Sequence, residues 1–279
     1  MSDKSYEGWD TNSHLEVFDF WNNKLDFYFN YLYGCFTEQH FLISSLQKLN
    51  NSTLLDVGCA TGTTFRFIKN KLGKNHVEYT GIDFSEPALN RAKKLYPSGK
   101  FVKVTDEKFS SLFDKKFDVV FSRDTIMHQT DPKRFISDLI SVAKKVLIIR
   151  LRTRDKGNTE YNVEKSCQMH YDKFWMPYIV MNIDEVIDIF STTNNVCKIT
   201  VNKSREVLGG HNLRFLPKEL YFSEAGGAET SIMIEFNEGH TDKPEIVIEE
   251  SPQGREYISR NKWKNYSYAA ANKILKKFV

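Results

Sequence analysis

The fold is decided by the stretch Leu54-Leu55-Asp56-Val57-Gly58-Cys59-Ala60-Thr61-Gly62-Thr63-Thr64. A short apolar run ends in an acid, passes through a turn of small residues with two glycines, and enters a segment with helical spacing at 64–72. This order is typical of a buried parallel strand, a tight loop and a helix whose first N–H groups point at a ligand. Glycine is needed where the backbone turns sharply or lies against the ligand.

Three kinds of ligand bind to loops of this type, and the residues of the loop indicate which of the three is bound here. A phosphate-binding loop needs a lysine directly after its last glycine, whereas Gly62 is followed by Thr63. A dinucleotide-binding loop needs glycine at the positions that Ala60 and Thr63 occupy. Asp56 ends the strand, where its charge would repel a pyrophosphate and attract a cation. The pattern therefore favours S-adenosylmethionine, which carries an ammonium and a sulfonium group.

The stretch 54–64 resembles motif I of the class I S-adenosylmethionine-dependent methyltransferases, whose loop reads roughly Asp/Glu-x-Gly-x-Gly-x-Gly. Ala60 replaces the middle glycine with another small residue. The resemblance covers residues 50–150 well and the rest through the order of elements. It implies an enzyme that uses S-adenosylmethionine and releases S-adenosylhomocysteine. The fold expected is an α/β three-layer sandwich with a seven-stranded, mostly parallel sheet whose last strand is antiparallel.

Acidic residues also stand at the ends of the next two predicted strands. An acid at the position of Asp83 can accept hydrogen bonds from both ribose hydroxyls, and the resemblance gives Asp83 that role. The resemblance likewise implies that Asp106 accepts a hydrogen bond from the adenine amino group. The residues expected to bind the cofactor are Asp56, Gly58, Cys59, Ala60, Gly62, Asp83, Phe84, Asp106, Glu107, Ser122 and Arg123.

Histidine is the first choice for the base that a hydroxyl acceptor needs, because its pKa lies near neutrality. His128 follows the fourth predicted strand and His170 lies in a later insertion, so these two are the candidate catalytic residues. Arg150 and Arg152 alternate onto one face after the fifth strand, where they either bind a carboxylate or phosphate or form a solvated edge. The residues expected to bind the acceptor are Arg150, Arg152, Tyr171, Trp175 and His211.

Composition limits the classes of protein further. Of the 279 residues, 41% are hydrophobic and 27% charged, and the net charge of +3 is too small to indicate nucleic acid by itself. The four cysteines are scattered without a Cys-x-x-Cys pair, which argues against zinc and suits a reducing compartment. No apolar run approaches the ~18 residues of a membrane helix, and the first residues have no apolar signal core. We expect a cytoplasmic monomer or homodimer with a small-molecule substrate, no metal and no membrane partner.

The first 50 residues precede the predicted core. Apolar residues between Leu15 and Phe36 recur at three- and four-residue steps, which predicts an amphipathic helix, and a second helix is expected at 38–49. This stripe either packs on the edge of the sheet or forms a lid over the cofactor. A lid would bring an aromatic residue to the site, namely Tyr6, Trp9 or Trp21.

The predicted domains are an N-terminal helical lid at 1–50, an S-adenosylmethionine-binding core at 51–240 and a C-terminal extension at 241–279. The core carries insertions at 153–182 and 204–228, where acceptor specificity is expected because long connections in compact domains are usually functional. The extension ends in a basic amphipathic segment, which predicts a docked helix with a wet basic face. The same residues leave contact with a membrane surface or RNA open.

These observations predict methyl transfer to oxygen on a small polar molecule, such as a sugar or another biosynthetic intermediate. The arginines support a polar acceptor. An Asn/Asp-Pro-Pro-Tyr/Phe signature would indicate methylation of an exocyclic amine, but Ser122-Arg123-Asp124-Thr125 stands in its place, which disfavours nucleic acid bases. Two alternatives stay open: a methyltransferase that acts on RNA or protein, and a cofactor-binding scaffold without catalysis.

Overall fold

The computed structural model describes residues 8–73, 77–105, 108–170, 174–209, 213–239 and 243–277. The strands are β1 (Ser52–Val57), β2 (Val77–Asp83), β3 (Lys100–Lys103), β4 (Phe117–Arg123), β5 (Ala143–Arg154), β6 (Cys167–His170), β7 (Phe174–Pro177), β8 (Met181–Asn182), β9 (Val196–Arg205), β10 (Arg214–Phe215), β11 (Ala228–Phe236) and β12 (Glu245–Glu250). The α-helices are α1 (Asn12–Asn22), α2 (Asp26–Tyr33), α3 (Thr37–Leu49), α4 (Thr63–Leu72), α5 (Glu86–Leu95), α6 (Pro132–Val142), α7 (Ile183–Ser191), α8 (Gly254–Arg260) and α9 (Lys262–Leu275).

The central sheet has the order β3-β2-β1-β4-β5-β11-β9-β12, with β8 beside β5. Strands β1 to β5 run parallel, and β11 runs antiparallel to both of its neighbours. The predicted mostly parallel sheet with an antiparallel strand is therefore confirmed. The described part of the sheet is wider than the seven strands expected, because β12 adds a parallel strand beside β9 and β8 pairs with the end of β5. Strands β10, β6 and β7 form a separate small sheet from the two insertions.

Local signals in the sequence explain why these elements form. Residues 119–121 of β4 are 0% exposed, because helices cover both faces of the parallel sheet. Ser85 caps α5, since its hydroxyl accepts a hydrogen bond from the N–H of Ala88 at 3.3 Å. Asp131 caps α6, and Pro132 occupies its first turn, where a missing N–H costs nothing.

The N-terminal segment forms three helices, where the apolar stripe predicted one long helix before α3. The chain leaves the helical path at 23–25, between α1 and α2. The guanidinium of Arg66 in α4 donates to the backbone oxygens of Trp21 and Lys24, at 3.1 and 2.7 Å. It also donates to the carboxylate of Asp26 at 2.7 Å. These bonds add to the backbone hydrogen bonds that end α1 and tie the connection to α4, so the break is stable.

The C-terminal extension packs on the sheet and on the N-terminal helices. The buried amide of Gln253 accepts a hydrogen bond from the N–H of Thr37 at 3.2 Å and donates to the backbone oxygen of Glu229 at 3.3 Å. Asn272 of α9 accepts a hydrogen bond from the N–H of Leu25 at 2.9 Å. The end of the chain is therefore docked as a helix. Within the described ranges, no helix is both long and apolar enough to cross a membrane.

Candidate active site

A cavity of about 470 Å³ opens at the carboxyl ends of β1, β2 and β4. The chain moves outward from β1 to β3 and then returns to β4 on the other side of β1. Ligands of open α/β sheets bind at such a reversal of strand order. The N-terminal segment also lines the cavity, through Trp9, His14, Val17, Phe18, Trp21, Tyr33 and Phe36.

The loop after β1 has backbone conformations that explain its small residues. Gly58, Ala60 and Gly62 have φ angles of 79°, 45° and 79°, in the left-handed region that favours glycine. A Cβ on Gly58 would lie 2.0 Å from Cγ2 of Thr125, so a larger residue does not fit there. Ala60 adopts this conformation at a cost of about 1–2 kcal/mol. The loop is therefore shaped for close approach of a ligand to the backbone.

Asp83 at the end of β2 holds this loop in place. Its Oδ2 accepts a hydrogen bond from the N–H of Ala60 at 2.8 Å, and its Oδ1 accepts one from the N–H of Ser85 at 2.9 Å. Burial raises the pKa of the Asp83 carboxyl, and these backbone donors oppose the rise. Each carboxylate oxygen has a further lone pair, so the group can also accept hydrogen bonds from ribose hydroxyls.

Asp56 at the end of β1 is a second buried acid beside the loop. The hydroxyl of Tyr79 donates to its Oδ2 at 2.6 Å. Burial raises the pKa of Asp56 to about 7, hydrogen bonds from Tyr79 and Thr64 oppose the rise, and the charge of Asp83 adds to it. Two acids at one end of the cavity favour a ligand with positive charge and hydroxyl donors, which fits S-adenosylmethionine.

His128 lies in the short 3₁₀ turn Ile126–His128 after β4 and lines the same cavity. Its Nδ1 is 2.9 Å from the backbone oxygen of Pro177. A carbonyl oxygen can only accept, so in the neutral ring Nδ1 carries the proton and Nε2 has the lone pair. The rings of Trp9 and Tyr178 contact the imidazole edge-on, with centroids 5.0 and 5.8 Å away. These contacts fix both the tautomer and the orientation of His128.

Arginines and acids form a buried ion-pair network along the cavity. Arg150 Nη2 lies 2.8 Å from Glu229 Oε2, and Arg150 also pairs with Asp124. Arg152 lies 2.7 Å from Glu229 and 2.8 Å from Glu206. Burial acts to raise the pKa of Glu229, but the guanidinium groups outweigh it and hold that pKa below its usual range. The charges of both arginines are therefore compensated inside the protein.

Arg123 extends this network to the N-terminal helices. Its Nε lies 2.9 Å from Oε1 of Glu38 in α3. Its guanidinium lies over the rings of Phe36 and Tyr33, at 4.3 and 4.9 Å from their centroids. The Tyr33 hydroxyl is in turn 3.0 Å from the hydroxyl of Thr64 in the first turn of α4. The N-terminal helices therefore reach the loop that follows β1.

Two further arginines line the cavity without an ion pair to a described carboxylate. The guanidinium of Arg214 lies over the ring of Tyr178, 4.2 Å from its centroid, and donates to Gln168 at 3.3 Å. Arg255 is exposed in the first turn of α8. Since Tyr178 also contacts His128, Arg214 lies one aromatic ring away from the candidate base.

The structure brings most of the described cofactor candidates into the cavity wall. Those that line it are Asp56, Gly58, Cys59, Ala60, Asp83, Phe84 and Arg123. Gly62 and Ser122 do not line it: Gly62 is the N-cap of α4, and Ser122 is buried against the hydroxyl of Thr125. Two of the predicted cofactor residues therefore lie behind the cavity wall and do not face the cavity.

Some of the predicted catalytic and acceptor-binding residues line the cavity and others do not. His128, Arg150 and Arg152 line the cavity. Trp175 does not: it lies in β7 with its ring 5.1 Å from that of Phe215, in the small sheet. Outside the described residues lie Asp106, Glu107, Tyr171, His211 and the side chain of His170.

Sequence reasoning missed several residues of the cavity wall, namely His14, Tyr33, Glu206, Arg214, Glu229 and Arg255. Glu229 lies in the polar first half of β11, before its apolar residues 232–234, so its burial has no local signal. Arg214 and Arg255 have none either, since Arg214 follows a long connection after β9 and Arg255 begins an exposed helix turn. Only the tertiary structure brings them to the cavity.

The fold and this cavity define a class I S-adenosylmethionine-dependent methyltransferase, as the resemblance implied. The chain belongs to the family described as "Methyltransferase domain", which matches residues 48–205. The enzyme uses S-adenosylmethionine as its methyl donor, so the predicted cofactor is confirmed.

Known relatives and solved structures agree with this assignment. The chain is similar to demethylmenaquinone methyltransferase of Thermotoga maritima, at 24% identity over 66% of this chain and 80% of that protein. It is also similar to 2-methyl-6-phytyl-1,4-hydroquinone methyltransferase of Synechocystis sp., at 36% identity over 33% of this chain and 29% of that protein. The chain thus spans less than a third of the second relative.

A solved structure shares the fold over most of the chain. It is the plantazolicin methyltransferase BpumL in complex with a pentazolic desmethylPZN analog and S-adenosylhomocysteine. The TM-score is 0.50 at 16% identity, over 84% of this chain and 95% of that one. At this identity the likeness concerns the fold alone.

Proposed function

We propose that this methyltransferase methylates an oxygen of a small polar molecule that carries an anionic group. The observation that carries the proposal is the placement of His128 in the wall of the cavity that also contains the glycine loop. Bound S-adenosylmethionine supplies an activated methyl group. The protein then has to orient the acceptor, exclude water and remove the hydroxyl proton.

His128 is suited to remove that proton. The hydrogen bond from Nδ1 to the Pro177 oxygen leaves Nε2 as the basic nitrogen. The same bond stabilises the imidazolium after transfer, because its donor gains positive charge while the carbonyl oxygen stays in place. Trp9 and Tyr178 hold the ring, so little orientational freedom is lost in the reaction.

The charges in the cavity support an anionic acceptor. Arg150 and Arg152 already have carboxylate partners, whereas Arg214 and Arg255 have no ion pair with a described residue. We infer that these last two meet a carboxylate or phosphate of the acceptor, Arg214 through the side of its guanidinium that Gln168 and Leu208 do not engage. Phosphosugars and sugar acids belong to this class. The relatives named for demethylmenaquinone and for 2-methyl-6-phytyl-1,4-hydroquinone support an acceptor that is not a polymer.

The experiment is a labelled-methyl screen of the purified full chain against sugars, phosphosugars, sugar acids, quinols and tRNA. We expect turnover of an anionic small molecule and a fall of about a hundredfold or more in kcat for His128→Ala. His40→Ala, an exposed histidine outside the cavity, is the control and should keep full activity.

Other results of the screen would contradict the proposal. Full activity of His128→Ala would remove the proposed base. Labelling of tRNA alone would favour a polymer substrate, and failure of the wild type on every acceptor would favour a scaffold. Arg214→Gln tests the anion site separately: KM for the acceptor should rise with little change in kcat, whereas the exposed Arg260→Gln should change neither.

We also propose that the reaction takes place in the cytoplasm. Cys35, Cys59, Cys167 and Cys197 are free thiols, and three of them are buried. Thiols of this kind suit a reducing compartment. A monomer or homodimer stays the expected assembly.

A further inference from the structure

The outward face of α9 exposes large apolar side chains. Trp263 is 87% exposed, Tyr266 63% and Ile274 58%. Tryptophan in particular is usually well buried, because its ring has the largest apolar surface of any side chain. A group of such residues on one helix indicates a surface that contacts something other than water.

This face is separate from the one that docks α9 onto the protein. Tyr268 stacks on Tyr31 with ring centroids 4.4 Å apart, and Asn272 binds the N–H of Leu25. Successive helical residues turn by about 100°, so Asn272 lies opposite Trp263 while Ile274 lies on the same side as Trp263. The stripe of Trp263, Tyr266 and Ile274 therefore points away from the body of the protein, whereas Leu275 lies about 20° from Tyr268 on the docking side.

Basic residues surround the stripe. Residues 254–277 contain seven lysines and arginines and a single acid, Glu256. Lys273 lies next to Ile274 at the edge of the outward side of α9, Lys277 lies in the turn that follows the helix, and both are exposed. The helix therefore combines an apolar face with a strong positive charge.

A second exposed group lies near the end of α9. Phe20 of α1 is 52% exposed, and Lys24 Nζ lies 4.0 Å above its ring. Lys24 precedes Leu25, which binds α9, and the pKa of Lys24 is lowered by burial and by the charge of Lys276. This group lies beside the docking side of α9, because Leu25 binds Asn272, and so it is separate from the outward stripe.

We propose that the outward face of α9 binds an anionic lipid bilayer, with the helix lying in the plane of the interface. Helices that do so have tryptophan and aliphatic side chains on one face and lysines beside them. Each lysine near an anionic leaflet adds attraction, and tryptophan and tyrosine favour the headgroup region. The sequence predicted a docked helix with a wet basic face and left contact with a membrane surface or RNA open, and the exposed Trp263, Tyr266 and Ile274 favour the membrane surface.

Two other occupants fit these observations less well. A nucleic acid would use the lysines and stack on Trp263 and Tyr266, but it would give Ile274 no partner. A second copy of the chain in a two-fold dimer would bring the same basic residues face to face, which costs free energy. An anionic bilayer satisfies both the apolar and the charged groups.

The test is co-sedimentation of the full chain with vesicles of phosphatidylcholine that contain about a third phosphatidylglycerol, or none. We expect binding to the anionic vesicles that weakens as salt screens the lysines. Trp263→Ser combined with Ile274→Ser should weaken binding about tenfold or more, because the inserted apolar groups are lost. Lys273→Gln with Lys277→Gln should weaken binding to the anionic vesicles only.

Phe222→Ser provides the matched control, since Phe222 is 62% exposed on a different segment. This variant should bind vesicles like the wild type, and all variants should keep their melting temperature and their affinity for S-adenosylhomocysteine. The proposal is overturned if the wild type ignores anionic vesicles or if Phe222→Ser weakens binding as much as the α9 variants. It is also overturned if the α9 variants abolish only tRNA binding or only self-association.

Discussion

At the scale of single residues, Asp56 and Asp83 both lie near the carboxyl ends of neighbouring strands but have different partners. Asp83 accepts hydrogen bonds from two backbone N–H groups and so organises the loops after β1 and β2. Asp56 accepts a hydrogen bond from the buried hydroxyl of Tyr79 and has a pKa raised to about 7 by burial. Asp83 is therefore suited to hold the ribose. The pKa of Asp56 should depend on the charge of the bound ligand.

Replacing Asp83 tests the ribose contact. Asp83→Ala should weaken binding of S-adenosylhomocysteine by about 1.5–3 kcal/mol, the range for hydrogen bonds to a charged group, or roughly ten- to a hundredfold. Calorimetric titration measures this change. Asp114→Ala, which removes an exposed acid outside the cavity, should bind like the wild type. Equal affinity of Asp83→Ala and wild type would remove the ribose role.

Replacing Asp56 tests its raised pKa. Between about pH 4 and 7 the folded state holds a proton on Asp56 that the unfolded chain releases, so stability falls as pH rises through this window. Relative to Asp56→Asn, the wild type without cofactor should lose up to about 1.4 kcal/mol of unfolding free energy per pH unit. Urea denaturation at several pH values measures the difference. Parallel curves for the two proteins would show that Asp56 titrates normally.

At the scale of elements, the N-terminal helices complete the cavity wall, and Arg66 holds their connection. Arg66→Met should remove the bonds to Trp21, Lys24 and Asp26 and loosen the loop between α1 and α2. We expect trypsin to cleave this variant faster after Lys24. If the N-terminal helices form a lid, S-adenosylhomocysteine should slow that cleavage. Lys71→Met, on the exposed side of the same helix, is the control. An unchanged cleavage rate would show that the loop is held by other contacts.

The elements that short-range signals define were predicted well from the sequence. The stretch 54–64 encodes a strand, loop and helix within a few residues, so β1 and α4 were found together with their ligand. The apolar residues between Leu15 and Phe36 predict one helix, because their periodicity continues across the break. The break at 23–25 depends on Arg66, which lies about 40 residues away in sequence, and no local pattern reports it.

At the scale of the whole molecule, the ion-pair network joins parts of the chain that are distant in sequence. Glu38 of α3, the arginines of β4 and β5, and Glu229 of β11 meet beside the cavity. Gln253 of the C-terminal extension binds the backbone of Glu229. Sequence patterns located the arginines but left their partners open, because each pairing spans tens to more than a hundred residues.

Because the network is buried, removing one carboxylate leaves arginines without compensation. Glu229→Gln should lower the free energy of unfolding by about 3 kcal/mol near neutral pH, the range for a broken buried ion pair. The pKa of Glu229 is lowered in the folded state, so its contribution is present above the unfolded pKa of about 4.3 and is lost as pH falls through the folded value. The difference between wild type and variant should therefore shrink below about pH 4. The control is Glu249→Gln, on the exposed face of β12, which should change the free energy of unfolding little at any pH. An equally small effect of Glu229→Gln would show that other partners stabilise Arg150 and Arg152.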